Sequence, residues 1–233
     1  MTLEQLELSE RAIRAAVDRI FIDPTGKAEP IYDGVVDPER YCAAPSKILW
    51  ILKEPWDGDD RSGGGWSITQ DLLRAKTAEM AKGPTIQPII YVSYGILNQV
   101  WTWADMEYIR DDPEMAQVLH SIAYINVKKL PGLKTSKDSE ILSAYQTSRE
   151  AIHQQIAAYQ PDFVIGCRPH MAAIMTDIGI ASDDIFSNDS ARWATKEGTT
   201  FIDVYHPAQT TITRDRYIDD ILSIAASCQT LNA

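Results

Sequence analysis

Short apolar runs alternate along the chain with longer segments of helical spacing. Residues 47–52 (KILWIL), 121–127 (SIAYINV), 162–166 (DFVIG) and 199–205 (TTFIDVY) are brief and rich in β-branched or aromatic side chains. Runs of this kind, lacking a polar face, are expected of strands covered on both sides. Helices are predicted between them at about 68–82, 87–103, 113–120, 138–159, 168–177 and 213–229, with caps at Asp112–Pro113 and Ser136 to Ser139. An earlier helix starts behind Thr2, carries Leu3, Leu6, Ile13, Ala16, Val17 and Ile20 at helical spacing, and stops at Asp23–Pro24. Strands separated by helices imply a parallel, doubly wound α/β sheet.

In an open parallel sheet the ligand crevice lies beyond the carboxyl ends of the strands. Lys53, Glu54, Pro55 and Trp56 follow the first run; Asn126, Val127, Lys128 and Lys129 close the second. Gly166, Cys167 and Arg168 close the third, and His206, Pro207 and Ala208 follow the fourth. A carboxylate, an amide, several cations and an imidazole are therefore expected on one rim, which is a catalytic inventory. The stretch ILWILKEPWDG (48–58) changes abruptly from apolar to charged because a buried strand delivers a site at its end.

Composition narrows the picture. A length of 233 residues with 45% hydrophobic content fits one α/β domain. The net charge of −11 repels nucleic acid and anionic membranes at long range, so a polyanion partner requires a local basic patch. Lys128, Lys129, Lys134 and Lys137 form such a run. Three dispersed cysteines, Cys42, Cys167 and Cys228, argue against a disulfide framework and a thiolate metal site. The first residues are acidic without a basic-then-apolar leader, and no uncharged apolar run is long enough to span a bilayer, so a cytoplasmic protein is expected. The segment DGDDRSGGG (57–65) reads as a disordered loop without the ligand spacing of a calcium site, and no metal is expected. His120, His153 and His170 lack a partner pattern and read as helix-surface residues.

Three segments, LKEPWDG (52–58), YINVKKLPG (124–132) and YHPAQTT (205–211), resemble in order and spacing the motifs of the uracil-DNA glycosylase superfamily. Its first strand ends in GQDPYHG, its second carries a base-reading Asn, and its last ends in HPS. GGGWS (63–67) falls near that family's loop aromatic, and FVIGCRPHMAAI (163–174) resembles its third strand and following helix, so the resemblance spans roughly residues 45–215. It implies a three-layer α/β/α fold with a central four-stranded parallel sheet, no cofactor, and hydrolysis of the bond between a base and deoxyribose. Glu54 then falls on the water-activating carboxylate and His206 on the group that stabilises the departing base. Asn126 matches the amide that reads the pyrimidine edge, Trp66 the stacking platform, and Trp56 the Tyr that excludes a thymine methyl. Lys128 and Lys129 would contact phosphate.

The chain departs from the pattern at three points: Glu54 replaces an Asp, Trp56 a Tyr, and Ala208-Gln209-Thr210-Thr211 replaces an apolar wedge. The substrate implied is uracil or another modified base, in single-stranded DNA or as a small nucleobase or nucleoside ligand. The alternative is a non-catalytic nucleic-acid or nucleotide-binding module on the same fold. Plain structural readings stand beside these. Glu54 can pair with Arg61 or a lysine, His206 can cap the last turn, Asn126 can form a turn, Trp66 can be core, and the lysine run can be a solvated loop.

Overall fold

The computed structural model describes every residue except Ile22, Pro24, Asp59 and Ala233. Pro24, half of the predicted stop of the first helix, therefore lies outside the described residues. That helix, α1 (Leu3–Ile20), opens with a capping box. The Thr2 hydroxyl accepts from the Gln5 amide at 3.2 Å, and the Gln5 side chain accepts from the Thr2 amide at 2.9 Å.

The four predicted runs become β2 (Ile48–Leu52), β3 (Ala123–Asn126), β4 (Phe163–Cys167) and β7 (Thr199–Val204). They pair in parallel in the order β3-β2-β4-β7. The expected four-stranded sheet is nevertheless too small. β1 (Gly34–Val35) adds antiparallel to β3, while β6 (Arg192–Lys196) and β5 (Phe186–Ser187) add antiparallel beyond β7, giving seven strands among the described residues. The edge strands escaped prediction for physical reasons. β1 and β5 have two residues each, and β6 is partly solvated and carries Arg192 and Lys196.

All five side chains of β2 are buried, and they alternate between two apolar clusters. Ile48, Trp50 and Leu52 meet α5 (Ile86–Asn98) and α8 (Arg214–Asn232) on one face. Leu49 and Ile51 meet α1, α6 (Asp138–Tyr159) and α7 (His170–Asp177) on the other. Helices thus cover both faces of the sheet. The indole Nε1 of Trp50 donates to the Ser93 hydroxyl at 3.1 Å, satisfying its one polar atom inside the core. Full burial of each large apolar side chain contributes about 1.5–3 kcal/mol, so the central strands hold firm register and anchor the segments at their carboxyl ends.

Helix details differ from the expectation, and the 87–103 prediction ends early because Gln99 turns left-handed at φ 56° and stops α5 at Asn98. The 68–82 prediction divides into α3 (Ile68–Arg74) and α4 (Thr77–Met80), because Ala75 takes extended backbone with ψ 144°. Pro113–Ser121 is a 3-10 stretch, capped as predicted by Asp112, whose carboxylate accepts from the Glu114 amide at 3.2 Å. α6 begins after Lys137 without a side-chain cap, so the cap expected at Ser136 to Ser139 is absent; Asp138 and Glu140 complement its N-terminal dipole instead. A short helix, α2 (Pro38–Ala43), was not predicted.

Candidate functional site

Backbone pairing continues past the ends of β2 and β3. The Val127, Lys128 and Gly132 amides donate to the carbonyls of Leu52, Lys53 and Pro55 at 2.9, 2.9 and 2.7 Å. This extended ladder carries Glu54 on a rigid frame. At Gly132 a Cβ would overlap the Glu54 carboxyl group, so a side chain here would displace that carboxylate. The Glu54 side chain is only 3% exposed, and its Oε2 accepts from Lys128 Nζ at 2.9 Å.

A cavity of about 510 Å³ opens at this edge, and Glu54, Trp56, Trp66, Asn126 and His206 all line it. Five of the seven residues singled out in the sequence therefore meet around one hollow, of a size typical for small-molecule sites. Trp56 stands at its rim, 51% exposed, with Lys134 Nζ 5.1 Å from the centre of its ring. It leaves the cavity open rather than filling it.

Asn126 ends β3 and is buried, and its backbone amide donates to Asp33 Oδ2 at 2.8 Å. Its side-chain Nδ2 is buried and has no hydrogen-bond partner among the described residues. A buried donor without an acceptor costs about 1–3 kcal/mol, so a ligand acceptor at this position would be favoured.

His206 is partly buried, and its Nδ1 accepts from the Ala208 amide at 3.2 Å. That bond leaves the ring proton on Nε2, which makes the imidazole a hydrogen-bond donor. Burial, with Lys53 adding repulsion, pulls its pKa down to about 4, so the ring is neutral near pH 7. A neutral donor, a held carboxylate and an unspent amide are thus brought to one cavity.

Trp66 is set by a loop whose hydrogen bonds converge on Asp57. Asp57 Oδ2 accepts from the Gly64 amide at 2.7 Å and from Trp66 Nε1 at 2.8 Å. Gly64, at φ +91°, runs against the Glu29 carbonyl, where a side chain would clash with backbone. The Trp66 carbonyl accepts from the Tyr32 amide at 2.9 Å. Asp59 of this loop lies outside the described residues.

The lysine run does not act as a unit. Lys129 is fully buried, and its ammonium donates to Asp33 Oδ1 and Oδ2 at 2.7 and 2.8 Å and to Gln155 Oε1 at 3.0 Å. It cannot reach a phosphate, and the expectation that it does is corrected. Lys128 holds Glu54, Lys134 lies over Trp56, and Lys137 pairs with Glu140 at 3.8 Å. Arg61 also pairs with Glu140, at 2.7 Å, rather than with Glu54.

His170 is not on a helix surface as expected. It is fully buried, its Nε2 donates to the Ile51 carbonyl at 3.1 Å, and burial brings its pKa down to about 4. Cys167 is buried and its thiol is pushed up to about 12 by burial, which suits packing and not nucleophilic chemistry.

The outer wall of the cavity was missed. It comes from α3 and α4 through Ile68, Leu72, Ala75 and Met80, with Asp71 and Glu79 beside them. A signal existed: Ile68, Leu72 and Ala75 recur at i, i+4 and i+7, an apolar stripe that the structure leaves only partly buried. No protein-family model and no curated protein matches the sequence, so the chemistry of this crevice rests on its geometry.

Proposed function

We propose that the protein binds a nucleobase in the crevice and hydrolyses its N-glycosidic bond to deoxyribose, acting on uracil or another modified base in single-stranded DNA. One observation carries this reading: the buried Nδ2 of Asn126, unpartnered among the described residues, belongs to a side chain that lines the same cavity as a neutral His206 and the Glu54 carboxylate. Cleaving such a bond builds positive charge on the sugar and negative charge on the departing base. The Nε2 proton of His206 would hydrogen-bond the base oxygen as its charge grows, without needing a cationic ring. Lys128 fixes one oxygen of Glu54, and the other would orient water toward the sugar and face its positive charge. Asn126 would donate to a carbonyl on the base edge, with Trp66 offering a face for stacking. Residues 207–211 (PAQTT) supply no apolar wedge, which favours a base already free of a duplex.

A second reading, a nucleobase-binding module without catalysis, is favoured by the Glu54–Lys128 ion pair, which engages the carboxylate that chemistry would use. One assay separates the two. Single-stranded DNA containing uracil is incubated with the protein, and abasic sites are scored by alkaline cleavage. Hydrolysis predicts product that falls at least about 100-fold in Glu54→Gln while DNA binding persists. Retained affinity with no product at any protein concentration would refute hydrolysis and leave the binding module.

A further inference from the structure

We propose that Arg168 anchors a backbone phosphate of single-stranded DNA at the carboxyl end of β4, outside the crevice lining, with Tyr205 as the platform that holds the guanidinium. This rests on the reading of the crevice as a nucleic-acid site. Arg168 follows β4 directly, and its amide donates to the Val204 carbonyl at 3.1 Å, which ties it to the end of β7 two residues before His206. Its guanidinium carbon lies 4.8 Å from the centre of the Tyr205 ring. Stacking of this kind fixes the plane of an arginine.

The charge around Arg168 is not matched. The nearest carboxylate is Asp203, fully buried, and Arg192 takes its Oδ2 through both Nε and Nη2. Arg168 Nε stays 3.8 Å from that oxygen and has no hydrogen-bond partner among the described residues; its Nη2 makes one long bond to the Ser190 carbonyl, 3.5 Å. Asp203 meets both guanidinium groups through Oδ2 alone, and its Oδ1 is buried without a hydrogen-bond partner among the described residues. Arg216, close by, is committed to Asp189 and Asp220. Along the same sheet edge Lys53 pairs with Asp138, Lys128 with Glu54 and Lys129 with Asp33. The Arg168 side chain keeps 35% of its surface exposed, enough for a planar group to meet a phosphate through two parallel N–H bonds.

The test uses a uracil-free oligothymidylate, so that base reading is not involved. Binding of the fluorescent oligonucleotide is followed by anisotropy from low to moderate salt for the wild type, Arg168→Gln and Arg168→Lys. Loss of one phosphate contact predicts that Arg168→Gln lowers the slope of log affinity against log salt by about 0.7, while Arg168→Lys keeps the slope. Should Arg168→Gln fail to fold, the wild type still decides: phenylglyoxal labelling mapped by mass spectrometry should show Arg168 protected by the oligonucleotide and Arg19 on α1 unprotected. An unchanged slope in a folded Arg168→Gln, or equal labelling of Arg168 with and without oligonucleotide, would overturn the proposal. Equal protection by inorganic phosphate at the same phosphate concentration would overturn the assignment to a strand. Salt-dependent binding with Arg168 protected but no effect of uracil would remove base reading alone; uracil-dependent binding with Arg168 unprotected would remove only the phosphate anchor.

Discussion

Lys129→Met separates the frame of the site from its chemistry. Lys129 and Asp33 are almost completely buried, at 0% and 2% side-chain exposure, and the ammonium makes three hydrogen bonds, two to the carboxylate and one to Gln155. Methionine fills a similar volume but leaves the Asp33 charge without its counter-ion. Breaking a buried pair in this way costs about 3–5 kcal/mol. Asp33 keeps the Gln155 amide at 3.0 Å and the Asn126 backbone amide at 2.8 Å as donors, which places the expected loss at the lower end, about 3 kcal/mol. That is roughly a 100-fold to 200-fold shift of the folding equilibrium. Urea unfolding followed by tryptophan fluorescence measures it. Because Asp33 also holds the backbone of Asn126, a double variant Lys129→Met/Asp33→Asn should recover part of the loss, with a coupling of at least about 1 kcal/mol. A loss within about 0.5 kcal/mol for Lys129→Met would refute the claim that this pair supports the end of β3.

Other expectations come from the same geometry. Gly132→Ala should push the Glu54 carboxylate off Lys128 and reduce product formation at least about tenfold, with a smaller effect on thermal melting; unchanged activity would contradict the close packing. His206 and His170 both titrate near 4 in the folded protein against an ordinary value of 6.5, so the unfolded chain binds more protons between those values. Stability should therefore be fully present above about pH 6.5 and fall as pH drops toward 4, and removing either ring should flatten that acid limb in urea titrations at several pH values. Asp57→Ala removes the acceptor of both Gly64 and Trp66 Nε1, and should broaden the Trp66 indole N–H resonance and weaken oligonucleotide binding; an unchanged resonance would show that the loop does not depend on Asp57.

The central strands were legible because burial on both faces leaves an unbroken apolar signature, as in ILWIL, and the sheet topology turned their ends into a site. Glu54, Asn126 and His206 could be found as the residues at or just past those ends. The short edge strands β1 and β5 have too few residues for any period, and the α3–α4 wall was hidden because its stripe looks like ordinary core. Lys129 was misread because adjacent lysines in sequence look alike; Lys128 faces Glu54 while Lys129 enters the interior where Asp33, 96 residues away in the chain, meets it. His170 and Arg168 show the same limit, since burial and charge matching depend on partners from β2, β6 and β7 that no local pattern announces.

The proposal that the crevice takes a nucleobase is tested most directly by the side-chain amide resonance of Asn126 during titration with 2′-deoxyuridine, assigned by its loss in Asn126→Ala. A selective downfield shift of that amide proton, saturating with the ligand and abolished by filling the cavity through Ala75→Trp, is the predicted result. An Asn126 amide that stays fixed while the ligand saturates elsewhere, or no binding at millimolar ligand, would contradict it.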